Sequence, residues 1–126
     1  MTQHEITKAA PLLDASGNLT EPGWARSLLP VYCRSQIRAP KTRIKEWDYY
    51  CITDGHIGLA LTIADNGYMG LDSISFLNFD ERFEITKSPM RLLPMGKTHL
   101  PESSRLGASE IAASGYALAF YHEDGA

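Results

Sequence analysis

The sequence predicts an all-β fold built on an antiparallel meander, and three observations support that prediction. Residues 43–87 are rich in β-branched and aromatic side chains, which favour strands, and the segment 56–64 alternates apolar and other residues. Two dipeptides inside this region, Asp54-Gly55 and Asn66-Gly67, are strong two-residue hairpin signals. A third turn at Asp80-Glu81 closes the pattern. Four strands are therefore expected, over 43–53, 56–64, 68–79 and 82–87.

Before this meander the chain has the texture of turns and short extended segments. Residues 14–18 and 21–23 contain the clusters of Asp, Ser, Gly, Asn and Pro that punctuate strands. An apolar segment at 28–33 is interrupted by Pro30. A basic stretch follows, and it is either a solvated loop and strand start or a contact surface for an anionic head group or partner. Its members are Arg34, Arg38, Lys41, Arg43 and Lys45.

The hairpin turns fix a register, so side chains can be paired from the sequence. Closing the first two hairpins at their Asp-Gly and Asn-Gly dipeptides sets Asp48 and Asp72 opposite Leu61, one on each side. Closing the third at Asp80-Glu81 sets Ile85 beside Phe76. All of these residues share one face, because alternate residues of a strand point the same way. That face is predicted to be apolar and to form a core or a lumen, while the other face is mostly outside.

Beyond residue 87 the pattern changes. Residues 88–110 contain three prolines and lack periodicity, which predicts a long loop or a crossover. The alanine-rich segment 105–115 is compatible with either helix or strand, and 111–122 is predicted to be a further strand. The whole chain, 1–126, is expected to be a single β domain. Because Asp124-Gly125 is a hairpin signal with no strand after it, we expect an incomplete half of a larger β protein, namely its N-terminal portion.

Composition excludes several classes of protein. The chain has 126 residues, 44% of them apolar, and a formal net charge of −3, which argues against disorder and against nucleic-acid binding. No apolar run approaches the roughly 18 residues of a membrane-spanning helix. A polar start and only two cysteines indicate a cytoplasmic, reducing compartment without a disulfide scaffold. Edge strands of an open sheet are expected to permit self-association.

The residues most able to carry chemistry are Asp48 and Asp72. A carboxylate on an apolar wall is costly unless it is hydrogen-bonded or faces a wet cavity, and burial raises its pKa so that it can act as a general acid. Alternatively, one of them is satisfied by Tyr50 or by a backbone N–H. Asp65 and Tyr68 flank the second turn and either hydrogen-bond at a barrel mouth or merely support the turn. No metal site and no cofactor is expected, because the four histidines lack ligand spacing and no phosphate or dinucleotide loop is present.

Residues 43–50 carry a Lys-x-Trp-Asp-Tyr pattern at Lys45, Trp47, Asp48 and Tyr49. This pattern resembles the signature of a largely bacterial family, number 2804 among the domains of unknown function. Segments 11–17, 23–26, 64–70, 89–96 and 118–120 are similar to it in the same order. One departure is Tyr50, where the family tends to have Trp. The resemblance implies a lipocalin-like open sheet or partial β-barrel, by analogy with a superfamily that includes carotenoid hydratases, and it implies that family members are longer than this chain.

Three functions remain open at this point. The first is a binding module for a lipophilic small molecule. The second is a hydratase-like enzyme with Asp48 or Asp72 as general acid, and the third is a structural half-domain whose apolar face packs on further chain without a ligand. The residues expected to line the ligand site, with Ile57 beside them, are Trp47, Tyr50, Leu59, Leu61, Asp65, Tyr68, Ile74 and Phe76.

Overall fold

The computed structural model describes residues 3–121, which fall into two compact units divided between Ala39 and Pro40. Each unit is treated by itself below. The single β domain predicted over 1–126 contains both of them. The proposed hairpin signal at 123–126 and the last residue of the predicted strand, His122, lie outside the described residues.

The first unit is held together by backbone hydrogen bonds between short extended segments. β1 (Ala10–Pro11) pairs in parallel with β2 (Pro30–Val31). Within the predicted turn at 14–18, the Asp14 carboxylate accepts hydrogen bonds from the backbone N–H groups of Ser16 and Asn18, at 2.8 and 2.9 Å. These bonds lower the pKa of Asp14, the one from Asn18 most strongly. The turn predicted from composition is thus closed by its own aspartate.

Helix is confined, within residues 3–121, to two single turns of 3-10 helix, Arg34–Gln36 and Lys41–Arg43. Both fall in the basic stretch. No helix among these residues has the length and apolar character needed to cross a membrane.

The second unit is built on the predicted meander, which the structure confirms as an antiparallel open sheet. β3 (Glu46–Thr53), β4 (Ile57–Asp65), β5 (Met69–Asn78) and β6 (Phe83–Lys87) pair in that order. β7 (Met90–Leu92) pairs with the start of β5 in the same register as β6, so the two form one edge interrupted at Pro89. Proline lacks the N–H that a strand needs for pairing, which explains the break. None of the sheets in the described part of the chain closes into a barrel.

The register of the first two hairpins differs from the prediction by two residues. Asp48 lies opposite Ile63, and Ile63 in turn lies opposite Asp72, whereas the sequence placed Leu61 between them. In each turn the glycine is the first of the two central residues rather than the second, with φ of 95° at Gly55 and 76° at Gly67. Because side chains alternate with period two, this shift changes every pair but keeps every residue on its predicted face.

The reason for the shift in the first hairpin is the side chain of Asp54. Its carboxylate accepts hydrogen bonds from the N–H groups of His56 and Ile57, both at 2.9 Å, and so places Asp54 before the turn instead of inside it. In the second hairpin the Asp65 carboxylate accepts a hydrogen bond from the Gly67 N–H at 2.9 Å, as the Thr53 hydroxyl does from Gly55 in the first. The third hairpin has the predicted register, with Ile85 opposite Phe76.

The region predicted as a long loop or crossover, 88–110, contains β7 and the start of a separate hairpin, outside the meander. β8 (Ala108–Ala113) and β9 (Tyr116–Tyr121) pair antiparallel around Ser114-Gly115, with φ of 90° at Gly115. One strand was expected over 111–122 and two are present. The alanine-rich segment that is compatible with helix therefore forms strand, because its residues pair with β9.

The β8–β9 hairpin covers part of one face of the main sheet, which we call the inner face. The inner face carries the even-numbered residues of β3 and β5 and the odd-numbered residues of β4 and β6. Ile63 at its centre is fully buried and packs in a cluster with Leu100 and Phe120. The predicted apolar face is thus a core in one half of the sheet only.

Candidate functional site

The covered half of the inner face brings both predicted aspartates beneath the hairpin. Tyr50 packs its ring against Phe120 with the two centroids 4.7 Å apart. Asp48 and Asp72 flank Ile63 on the two neighbouring strands, about 10 Å from each other across two strand spacings. The predicted arrangement of two carboxylates on either side of one apolar residue is therefore present, around a different residue.

Asp72 is fully buried and forms a two-point ion pair with Arg91 of β7. The Arg91 Nε donates to Oδ2 at 2.6 Å and a terminal guanidinium nitrogen donates to Oδ1 at 2.9 Å. The Tyr116 hydroxyl also donates to Oδ2, at 2.7 Å. Both oxygens of Asp72 are acceptors here, so the carboxylate is satisfied by an arginine and a tyrosine rather than by Tyr50 or a backbone N–H.

This arrangement shifts the ionisation of both partners of Asp72. The hydrogen bond to Asp72 raises the pKa of Arg91, against an opposing effect of burial. Burial raises the pKa of Tyr116, and the hydrogen bond to Asp72 adds to that rise. Arg91 remains a cation and Tyr116 a neutral donor at physiological pH, which are the states that this network requires.

Asp48 has its partner on the covering hairpin. The Ser109 hydroxyl, which is buried on β8, donates a hydrogen bond to Asp48 Oδ2. Burial, followed by the nearby charge of Asp48, raises the pKa of Tyr50. The two aspartates thus attach opposite strands of the hairpin to the sheet, Asp48 through β8 and Asp72 through β9.

Asp65 supports the second turn and also attaches a loop to it. One carboxylate oxygen accepts from Gly67 within the turn, and the other accepts from the Gly96 N–H at 2.8 Å and the Thr98 hydroxyl at 3.0 Å. Tyr68 is exposed and takes no part in these bonds. Of the two sequence interpretations, the pair that hydrogen-bonds across a barrel mouth does not form, and Asp65 alone has the supporting role.

A cavity of about 270 Å³ lies beside the covered half, between the β5–β6 side of the sheet and the end of the β8–β9 hairpin. Its apolar lining includes Ile74, Pro89 and Leu118. Its polar lining includes Tyr116, Asp72 and Lys87, and the first two are already bonded to each other. The cavity therefore combines a mostly apolar wall with a single lysine.

The open half of the inner face continues from this cavity. Ile74 lies on it with 42% of its surface exposed, and Phe76 is the next residue on the same face of β5. Phe76 pairs with Ile85, which is two residues before Lys87 on β6. The exposed apolar side chains of this half are Ile52, Ile57, Ile74, Phe76, Phe83 and Ile85.

Apart from Asp65 and Tyr68 at the second turn, the predicted ligand-lining residues divide into three groups. Ile74 lines the cavity, and Phe76 lies beside it on the open half with the half-buried Leu59 opposite. Tyr50 and Leu61 pack against the core under the hairpin. Trp47 is 62% exposed on the opposite face of the sheet, so the structure does not bring it together with the others.

Comparison with known families matches residues 3–126 to the family described as Domain of unknown function (DUF2804). The chain belongs to this family. The match covers nearly the whole sequence and confirms the family suggested by the Lys-x-Trp-Asp-Tyr pattern. Searches of curated proteins and of solved structures returned no significant match.

Several functional side chains are not predicted from the sequence. Arg91, Ser109 and Tyr116 meet the two aspartates from segments far along the chain, and no local pattern indicates those contacts. One signal was available: Ser114-Gly115 is a two-residue turn dipeptide that predicts the β8–β9 hairpin. Lys87 sits at the end of a predicted strand, and its face follows from the confirmed register of the third hairpin.

Two other kinds of site, namely metal sites and reactive thiols, would draw on the His, Cys, Asp and Glu side chains among residues 3–121. No group of three or more His, Cys, Asp or Glu side chains there is arranged to hold a metal ion. Both cysteines are free thiols, Cys33 half-buried and Cys51 exposed.

Proposed function

We propose that the second unit binds lipophilic small molecules on the open half of its inner face, with the 270 Å³ cavity as the deepest part of the site. The observation that carries the proposal is the continuity between this cavity and the exposed apolar surface of β5 and β6. A ligand can enter the cavity at Ile74 and extend over Phe76 and Ile85 without leaving apolar surface.

The composition of the site supports a small apolar ligand. Ligand pockets are mostly apolar, include a few polar groups that fix orientation, and begin at about 300 Å³ for drug-sized molecules. This cavity is close to that lower bound, so it suits one end of an elongated ligand, with the rest lying on the open half. The lipocalin-like comparison made from the sequence agrees with such a role, as an analogy at the level of the fold.

The two other functions have less support from the geometry. An acid catalyst needs a proton to give, and Asp72, the aspartate that lines the cavity, uses both oxygens as acceptors from Arg91 and Tyr116. Asp48 is bonded to Ser109 beneath the hairpin. In the purely structural alternative, further polypeptide covers the open half and no ligand binds. The setting we propose is cytoplasmic, where Cys33 and Cys51 stay reduced.

The test is a fluorescence titration with N-phenyl-1-naphthylamine, an uncharged apolar fluorophore. We expect saturable binding by the wild-type chain. Ile74→Asp places a carboxylate on the wall of the cavity, directly opposite Lys87. It should weaken binding by at least about tenfold, because the apolar ligand would then have to cover hydrated charged groups.

Leu92→Asp is the matched control. Leu92 is 86% exposed on β7 and pairs with Met69, which places it on the opposite face of the sheet from Ile74. This variant should bind the fluorophore like wild type. Absence of saturable binding by wild type would support the structural alternative, and equal losses in both variants would show that the fluorophore reports general apolar adsorption.

A further inference from the structure

The cavity has an uncompensated positive charge. Lys87 is the last residue of β6 and pairs with Ile74, so its side chain is on the inner face beside the cavity. The other lining charge, Asp72, is neutralised by Arg91. Among residues 3–121, no carboxylate forms an ion pair with Lys87, which leaves the cavity with one net positive charge.

An exposed apolar surface extends from Lys87 toward the start of β6. Ile85 and Phe83 precede Lys87 on the same face of β6, and both are exposed. Successive residues on one face of a strand are about 6.8 Å apart, so Lys87 and Phe83 are separated by about 14 Å. A cation at one end of an apolar track of this length matches a molecule with a charged head and a medium-length alkyl chain.

We infer that the ligand of this site is an anionic amphiphile, specifically a medium-chain carboxylate, whose head group pairs with Lys87 while its chain lies along Ile85 and Phe83. This inference rests on the proposed function and adds the chemical class of the ligand. Tyr116 contributes its ring to the cavity wall, and its hydroxyl stays bonded to Asp72, so Lys87 is the group left to recognise the head.

The experiment is displacement of bound N-phenyl-1-naphthylamine by decanoate or by decanol, two chains of equal length with and without a charge. We expect decanoate to displace the fluorophore at about fivefold lower concentration than decanol, which is what a part-exposed ion pair contributes. The preference should shrink as salt is raised from 20 to 500 mM, roughly, because added ions screen an exposed pair.

Lys87→Gln should abolish this preference, judged by the ratio of the two displacing concentrations within each variant, so that a change in fluorophore affinity cancels. Lys45→Gln removes the same charge from an exposed residue that does not line the cavity, and it should keep the preference. Equal displacement by decanoate and decanol in wild type would overturn the anionic head group and leave apolar binding standing. Equal loss of the preference for decanoate in both lysine variants would overturn the assignment of the head-group contact to Lys87. Failure of the fluorophore to bind the wild-type chain at all would overturn the proposed function together with this inference.

Discussion

The buried pair between Asp72 and Arg91 offers a direct test of how the sheet is held beneath its hairpin. Asp72→Asn keeps the shape of the side chain and removes its charge, which leaves the guanidinium of Arg91, only 16% exposed, without its hydrogen-bonded counter-charge. Arg91→Gln leaves the fully buried carboxylate unpaired. Breaking a buried pair by removing one partner costs about 3–5 kcal/mol. We expect Asp72→Asn near the lower figure and Arg91→Gln near the higher one, because Arg91 retains some contact with water and Asp72 has none.

The double variant should cost much less than the sum of the two single variants. With both charges absent, neither residue is left as an unpaired buried ion, and an amide pair can still hydrogen-bond. We expect a coupling free energy of about 3 kcal/mol, at the upper end for residues in direct contact. Arg91→Lys keeps the charge but loses the two-point geometry, so it should fall between wild type and Arg91→Gln.

The assay is urea unfolding followed by far-ultraviolet circular dichroism and by tryptophan fluorescence. The chain has two tryptophans, Trp24 in the first unit and Trp47 on β3 of the second. A Trp24→Phe background therefore makes fluorescence report on the unit that contains the pair. Midpoints at constant m-value then give the changes in the free energy of unfolding.

Two results would refute the reasoning. Additivity of the single variants within about 0.5 kcal/mol would show that Asp72 and Arg91 do not act as a pair. A cost below about 1 kcal/mol for Asp72→Asn would show that its charge is not buried and paired as the geometry indicates.

Three further predictions concern a tyrosine, a glycine and the open surface. The pKa of Tyr116 is raised above its ordinary value of 10.0, so the contribution of its neutral hydroxyl to stability is complete below pH 10.0 and is lost as pH rises through the folded-state pKa. In urea unfolding between pH 9 and 11, Tyr116→Phe should therefore lose less stability than wild type, and parallel losses in the two proteins would contradict this. Gly67→Ala should destabilise the protein more than Gly55→Ala by at least about 1 kcal/mol in the same assay, because a Cβ at Gly67 would lie 2.4 Å from the Lys41 carbonyl oxygen while a Cβ at Gly55 would meet open space. Equal losses of stability in the two variants would contradict this and would indicate that only the positive φ of each glycine matters. The wild-type chain should self-associate through its exposed apolar face and sheet edges, and Ile85→Lys should elute closer to the monomer position in size-exclusion chromatography, with less than about 0.5 kcal/mol change in stability. A wild-type chain that elutes as a monomer and melts cooperatively would show the prediction to be wrong.

Local sequence signals were sufficient for the meander but not for the register of its first two hairpins. Alternation of apolar residues assigns each side chain of β4 to a face, and a shift of two residues leaves that assignment intact. The pairs themselves depend on where each turn closes. In the first hairpin, Asp54 moves the turn by one residue through hydrogen bonds of its carboxylate to His56 and Ile57, a competition that the dipeptide pattern alone does not resolve.

The candidate site was only partly predictable, for a related reason. Ile74 and Phe76 belong to a strand whose face can be derived locally, and the structure places both at or beside the cavity. Whether an apolar face is core, cavity wall or open surface depends on what covers it. That is decided by β8, which the sequence left between helix and strand, and by β9, which lies within the strand predicted over 111–122.

The amino-acid sequence by itself determined the all-β class, the order of the meander strands, the faces of their side chains and the family. These properties depend on neighbours within a few residues, where side-chain alternation and turn chemistry act. Only the tertiary structure decided that Asp72 is paired with Arg91 and Tyr116, and that half of the inner face stays open. Those outcomes depend on residues 19 and 44 positions away along the chain, which only packing brings together.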